Sequence, residues 1–385
     1  MSAAGITASA GSGGLLDRVL AWRDGLLASP RFQRVASGLP FTSGIARRRA
    51  RALFDLCAGF VYSQVLLACV RLHVFDALRH PAGTADVAAR IGLPPEAAER
   101  LLRAAASLRL VERRGGGRWG LGPLGAAVDP GVAAMIAHHD MLYADLADPV
   151  ALLRGAHEPT RLSRYWAYAG EGDTGALDPS RTDAYSALMS ASQRMLAEDV
   201  VAAVPWRRFR ALLDVGGGDG TFLRAAHEAA PALQLMLFDL PSVAERARAK
   251  FLAANVAATV TGGDFRAGPL PFGADLISFV RVLHDHDDET VAHLLRAARA
   301  ALPQGGAVLI AEPMAGTQGA EPVGDAYFGF YLLAMGQGRA RTPGQYAAFL
   351  QAAGFAPPRL LRTRRPIVAR ALLARVDEPR TVNRA

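Results

Sequence analysis

Residues 211–241 read Ala211-Leu-Leu-Asp-Val-Gly216-Gly-Gly-Asp-Gly220-Thr-Phe-Leu-Arg, then an alanine-rich run, then Leu235-Met-Leu-Phe-Asp239-Leu-Pro241. Leu212, Leu213 and Val215 form the short apolar run of a strand covered on both faces. Gly216, Gly217, Gly218 and Gly220 let the backbone turn tightly and bring a ligand against bare peptide groups. A helix from about Thr221 to Ala230 then points its amino end at that ligand. Asp239 closes a second strand 19 residues beyond Gly220, about where such units place the acid that grips a ribose diol.

The turn departs from the dinucleotide fingerprint, because the last glycine position counted from Gly216 holds Thr221. Asp214 and Asp219 are poor neighbours for a pyrophosphate, since anions favour a bare helix terminus. They suit a cationic or uncharged ligand better. The loop resembles the D-x-G-G-G-x-G turn of S-adenosylmethionine-dependent methyltransferases, whose cofactor carries a sulfonium and an ammonium.

The chain of 385 residues suits two domains and a sizeable core. Its 43 Lys+Arg against 35 Asp+Glu, nearly all of the base arginine, can serve nucleic acid, an anionic membrane or an acidic substrate. A GC-rich genome produces the same bias. Only Cys57 and Cys69 are present, which fits a reducing, cytoplasmic setting. No secretory leader pattern is visible at the start. The most apolar stretch, Ala52 to Val70, is interrupted by Asp55, Ser63 and Gln64 and reads as a long buried helix.

These features divide the chain into a basic amphipathic extension (1–45), a helical domain (46–200), a catalytic domain (201–377) and a short tail (378–385). Leu15 to Leu27 keeps helical apolar spacing with Arg18 and Arg23 between. With the run Arg47-Arg-Arg-Ala-Arg51 it is expected either to lie peripherally on an anionic membrane surface or to pack on protein. Residues 52–70, 74–78, 84–92 and 94–110 read as helices, with Thr84 expected as a cap. Val111 to Gly122 reads as a glycine-tipped hairpin, completing a winged helix. Its candidate recognition helix carries Glu96, Glu99, Arg100, Arg103 and Arg109 but little to read base edges, so no nucleic-acid partner is expected. Residues 132–198, holding Tyr143, Tyr165, Trp166, Tyr185, Met189 and Met195, form either ordinary core or an apolar pocket.

Beyond Asp239, strands near 257–261, 274–280 and 307–312 alternate with helices, and 359–376 suits an edge hairpin. That is an α/β, doubly wound, mostly parallel sheet. Asp239, Asp264, His284 and Glu312 fall at carboxyl ends of strands, where such sheets bind ligands. His284 and His286 are two apart with no third ligand at metal spacing, so no metal is expected. His284 is instead a candidate general base, with Glu312 orienting its ring.

The ordered set Asp214-Val-Gly-Gly-Gly-Asp-Gly220, Phe238-Asp-Leu-Pro241, Gly263-Asp-Phe265, Leu283-His-Asp285, Ala311-Glu-Pro313, Arg341-Thr342 and Ala353-Gly-Phe355 resembles the cation-independent small-molecule O-methyltransferases. The resemblance implies a Rossmann-like methyltransferase sheet preceded by an all-helical winged-helix dimerisation domain, a homodimer, and S-adenosylmethionine as donor without metal. It implies that Asp214, Gly216 and Gly218 hold the methionine part and Asp239 with Leu240 the ribose. Asp264 and Phe265 would flank the adenine, Arg281 and Met189 would lie beside the cofactor, and His284 and Glu312 would be catalytic. The family's second acid is Ala340 here, and its lysine upstream of the base is matched only by Arg281, one position off.

Arg47 to Leu66, Leu142 to Gly155 and Leu162 to Tyr168 resemble one branch, the 1-hydroxycarotenoid (demethylspheroidene, hydroxyneurosporene) O-methyltransferases of purple phototrophic bacteria. That branch implies methylation of a tertiary hydroxyl on a lipophilic, acyclic carotenoid. Such an alcohol, with a pKa of about 16 against about 6.5 for histidine, would cost on the order of 13 kcal/mol to ionise first. Proton transfer and in-line displacement should therefore coincide. Tyr185, Tyr327, Phe328, Tyr331 and Met335 are the expected pocket wall. The alternatives are a phenol or polyketide O-methyltransferase, and a winged-helix DNA-binding regulator with a silent methyltransferase-like domain.

Overall fold

The computed structural model describes residues 14–155, 159–170, 193, 196–366 and 369–377. They fall into two compact units, Met1–Gly125 and Ala126–Ala385.

The first unit opens with three helices, α1 (Leu15–Ala28), α2 (Pro30–Gly38) and the long α3 (Pro40–Arg71). Short α4 (Val74–Ala77), α5 (Thr84–Ile91) and α6 (Pro95–Ser107) follow, then a hairpin of β1 (Val111–Arg113) and β2 (Trp119–Leu121). This is the expected winged helix. Its core holds Val74, Leu78, Val87, Leu102, Val111 and Trp119, and burying each large side chain contributes about 1.5–3 kcal/mol. Thr84 does not cap α5, because Gly83 occupies the cap position. Its hydroxyl instead donates to Glu99 (2.8 Å) and accepts from the Trp119 indole (2.9 Å). Glu99 also receives Arg103 and Arg113, so α6 is tied to its own wing.

The expectation of a buried α3 is not met within the single chain. Only Leu67 and Cys69 are buried, while Phe41, Leu53, Phe54, Leu56 and Phe60 stand exposed. By length and composition alone this helix could cross a membrane. Its apolar side needs a cover that one chain does not supply.

The second unit begins with α7 (Pro130–Asp145), α8 (Pro149–Leu153) and α9 (Arg161–Gly170). The sequence reading grouped 126–200 with the winged helix. By contact the described part of this stretch belongs to the second unit, because α7, α8 and α9 pack on a helix near residue 330. Asp145 reaches across to cap α9, accepting from Arg161 and Leu162 at 2.8 Å each.

The sheet comprises β3 (Ala211–Val215), β4 (Gln234–Asp239), β5 (Thr259–Gly262), β6 (Leu276–Val280), β7 (Ala307–Glu312), β8 (Arg359–Leu361) and β9 (Arg370–Arg375). The order is β5-β4-β3-β6-β7-β9-β8, parallel except for the last two strands, which join antiparallel. Every residue of β3, β6 and β7 is buried, as a sheet covered on both faces requires. The intervening helices are α10 (Thr221–Ala229), α11 (Pro241–Ala253) and α12 (Asp288–Ala301), followed by α13 (Phe328–Met335) and α14 (Pro343–Ala352). The carboxyl ends of β3, β4, β5, β6 and β7 therefore share one edge.

Candidate active site

The glycine turn follows β3 directly. Gly216, Gly218 and Gly220 all have positive φ, at 69°, 58° and 78°. A Cβ on Gly216 would meet Val282 at 2.7 Å, and one on Gly217 would meet the Asp214 carboxylate at 2.9 Å. The backbone therefore lies against the acid, and no side chain fits between them. Gly218 faces open space on its Cβ side, while its N–H donates to Asp239 Oδ2 (2.8 Å). Leu240 N–H donates to the other oxygen at 2.7 Å. The turn and the end of β4 are thus locked together.

Asp214 is buried and accepts from Ser278 at 2.6 Å. Burial pushes its carboxyl up to about 7 despite that bond, with the Asp239 charge adding to the rise. Burial likewise raises Asp239 to about 6, against the two amides and Arg246. Both acids would ionise more readily beside a cation. Asp219 has a different task from the one expected. It accepts from the N–H and hydroxyl of Thr221 at the start of α10 and pairs with Lys250 at 2.5 Å. Asp264, after β5, is bound by Arg266 through both oxygens, which holds its carboxyl below the usual range despite partial burial. Phe265 packs edge-on to His286.

Across the same edge, Glu312 ends β7 with no exposed surface. A buried carboxylate is costly unless its oxygens are satisfied. Here Oε1 accepts from Val282 N–H (3.0 Å) and Leu283 N–H (2.8 Å), and Oε2 bonds His284 Nδ1. His284 Nε2 lies 3.1 Å from Asp285 Oδ1. The ring is bracketed by two carboxylates. Burial alone would lower its pKa, but Asp285 and Glu312 overcome that and hold it up at about 10. The single chain thus carries an imidazolium at neutral pH. The sequence reading found Glu312 and gave Asp285 no role beyond its place in the Leu283-His-Asp285 motif. Asp287, two residues on, caps α12, accepting from Thr290 N–H at 2.8 Å.

The second residue missed is Arg341, fully buried. Its guanidinium donates to the carbonyls of Leu283 (3.0 Å) and His286 (2.8 Å) and to Asp288 Oδ1 (2.9 and 2.7 Å). It therefore clamps the loop that carries His284. Lysine has a single head and no planar fork, so it cannot reproduce this pattern. Arg341→Lys should lower activity about 10-fold through a misplaced ring and reduce Tm by several degrees, read by kinetics and thermal melting.

Arg281, directly after β6, has φ 56°, a conformation costly for a side chain and characteristic of functional turns. Its charge is felt by Asp285, His138 and Tyr327. A π-helical turn, Pro322–Tyr327, leads into α13, and such turns recur at functional sites. Phe328 stands edge-on to His284 at 6.0 Å between centroids, and Tyr327 stands edge-on to Phe328. The Tyr327 and Tyr331 hydroxyls point away to α7, bonding His139 (2.6 Å) and His138 (2.8 Å). Burial, with the neighbouring His139 and Arg281 charges, keeps His138 neutral by lowering it to about 4. Met335 is buried in a satellite cluster with Leu142, Leu152 and Leu162. Tyr185 and Met189 lie outside the described residues. Among the described residues no group of three or more His, Cys, Asp or Glu is placed to hold a metal.

Residues 143–356 match the O-methyltransferase domain, and residues 54–128 match the O-methyltransferase dimerisation domain. The chain is 47% identical over 354 residues to demethylspheroidene O-methyltransferase of Cereibacter sphaeroides, covering 91% of this chain and 93% of that protein. It is 42% identical over 355 residues to the Rhodobacter capsulatus enzyme of the same name, covering 90% and 87%. Among solved structures, human N-acetylserotonin methyltransferase in complex with SAM superposes with a TM-score of 0.70 at 26% identity, covering 86% of this chain and 98% of that one.

Proposed function

Since the chain belongs to the O-methyltransferase family and carries that family's dimerisation domain, we propose that it methylates the tertiary hydroxyl of an acyclic hydroxycarotenoid. It is an S-adenosylmethionine-dependent O-methyltransferase and forms a homodimer. The observation that carries the reading is His284, held between Glu312 and Asp285 at the sheet edge that also bears the glycine turn. The carotenoid substrate is supported by the likeness to the Cereibacter and Rhodobacter enzymes. The exposed Leu53, Leu56 and Phe60 of α3 are apolar surface of the kind a second copy covers.

The residues present fit the cofactor. The turn offers bare backbone with open space at Gly218, beside the buried Asp214 and the half-buried Asp239, whose charged forms a cationic neighbour would favour. The Gly216–Gly220 turn would hold the methionine moiety, Asp239 the ribose hydroxyls, and Asp264 with Phe265 the adenine. When bound, S-adenosylmethionine supplies a methyl group on a positively charged sulfur.

In the neutral ring, once the Nε2 proton has been lost and Asp285 has yielded that position, His284 takes the substrate proton at Nε2 while Nδ1–H donates to Glu312 Oε2. With Asp285 displaced the ring loses part of what raises its pKa, so the gap to an alcohol at about 16 stays wide. That is still too much for ionisation in advance, so the proton leaves as the oxygen attacks. Alignment of the three reacting atoms supplies much of the acceleration. Tyr327, Phe328 and Tyr331 suit a hydrocarbon wall because the two hydroxyls are already taken by His139 and His138.

The test is incubation with S-adenosylmethionine and an extract of hydroxylated acyclic carotenoids, followed by mass analysis. One added methylene at the terminal hydroxyl is expected. Methylation of a phenol panel with no carotenoid product would replace this reading with the phenolic one.

A further inference from the structure

We propose that the amino-terminal segment, residues 14–51, is a docking surface for an anionic lipid bilayer. The segment precedes the matched dimerisation domain, which begins at residue 54. It holds Arg18, Arg23, Arg31, Arg34, Arg47, Arg48, Arg49 and Arg51 against Asp17 and Asp24, and residues 1–13 carry no charged side chain. Eight less two gives +6 of the chain's formal +8. All eight arginines are exposed.

The apolar residues are exposed as well. No residue of α1 is buried, and Leu15, Leu16, Val19 and Trp22 are 79%, 69%, 52% and 69% accessible. Phe41, at the start of α3, is 94% accessible. Leu15, Val19 and Trp22 recur at spacings of four and three and so share one stripe of α1. On a helical projection Arg18 and Arg23 flank that stripe, and Asp17 and Asp24 lie opposite. Leu16, Leu20 and Leu27 continue the apolar arc past Arg23, so arginine lies within and beside an apolar face from which both acids are turned away, a composition suited to an interfacial helix on anionic lipid. Pairing the segment with its own copy would set like charges together, whereas phosphate headgroups complement them. The inference goes beyond the substrate assignment, because lipid binding needs no carotenoid.

The experiment is co-sedimentation of the full chain with vesicles, without substrate. The vesicles are phosphatidylcholine alone or phosphatidylcholine mixed with phosphatidylglycerol. Binding is expected only to the mixed vesicles, with release at high salt and a blue shift of tryptophan emission on binding. The double variant Leu15→Ser, Trp22→Ser should bind about 10-fold more weakly, and each arginine changed to glutamine should weaken binding about fivefold. The variants should keep wild-type methylation of detergent-dispersed substrate, which controls for folding. Equal sedimentation with neutral vesicles would overturn the proposal. So would resistance to both salt and alkaline extraction, which would point to a spanning α3. A loss of dimer mass in the double variant with unchanged sedimentation would assign the face to a second copy instead.

Discussion

His284→Ala should lower kcat/KM for a tertiary alcohol by about 10³-fold, within the range that general bases contribute. The expectation sits high in that range because an alcohol cannot shed its proton unaided. A phenol, far more acidic, should suffer much less from the same substitution. The wild-type pH profile has a definite sign. His284 is protonated below its pKa of about 10, so kcat/KM should climb about tenfold per pH unit through neutrality before levelling near that value. In His284→Ala this rising limb should vanish. An alanine variant whose rate still climbs with pH would assign the limb to another group.

Glu312→Gln tests the bracket itself and pulls in two directions. Removing one carboxylate charge lowers the ring's pKa, so more of it is neutral at pH 7. The same change weakens the hold on Nδ1–H and leaves the developing imidazolium with one anion fewer. The amide oxygen can still accept from Val282 and Leu283, so the loop should survive. The loss should reach about 10²-fold or more on the alkaline plateau, be smaller at neutral pH, and come with a limb shifted to lower pH. Rate profiles of the two proteins measured side by side would check this. A uniform loss with an unmoved limb would mean that Glu312 acts only as a structural acceptor.

Much of this site is legible in the chain before any coordinates. β3, β6 and β7 are continuous apolar runs, and only a doubly covered sheet has use for them. Glu312 ending such a run is conspicuous because a buried carboxylate needs partners. Arg341 is not legible in the same way. An arginine between two loops looks solvated, and its burial follows from carbonyls converging on it from residues 283 and 286. Asp285 is hidden among neighbouring acids, and which one faces the ring depends on a single 3₁₀ turn at Leu283–Asp285. Asp219 and Thr84 were misread for a related reason. Each is a small polar residue at a helix start, with Lys250 as the long-range partner of one and Glu99 and Trp119 as those of the other. The exposed side of α3 shows the limit of reading one chain by itself, since composition reports that a cover is needed without saying which.

An imidazolium wedged between two anions also fixes how the protein must be handled. Its folded pKa near 10 lies above the unfolded value of about 6.5, so its contribution to stability is complete below that lower value and drains away as pH rises through 10. Turnover and durability therefore run in opposite directions along the same titration. By this group alone, Tm should fall and turnover should rise between about pH 6.5 and about 10, which thermal melts and rate profiles across that window would read.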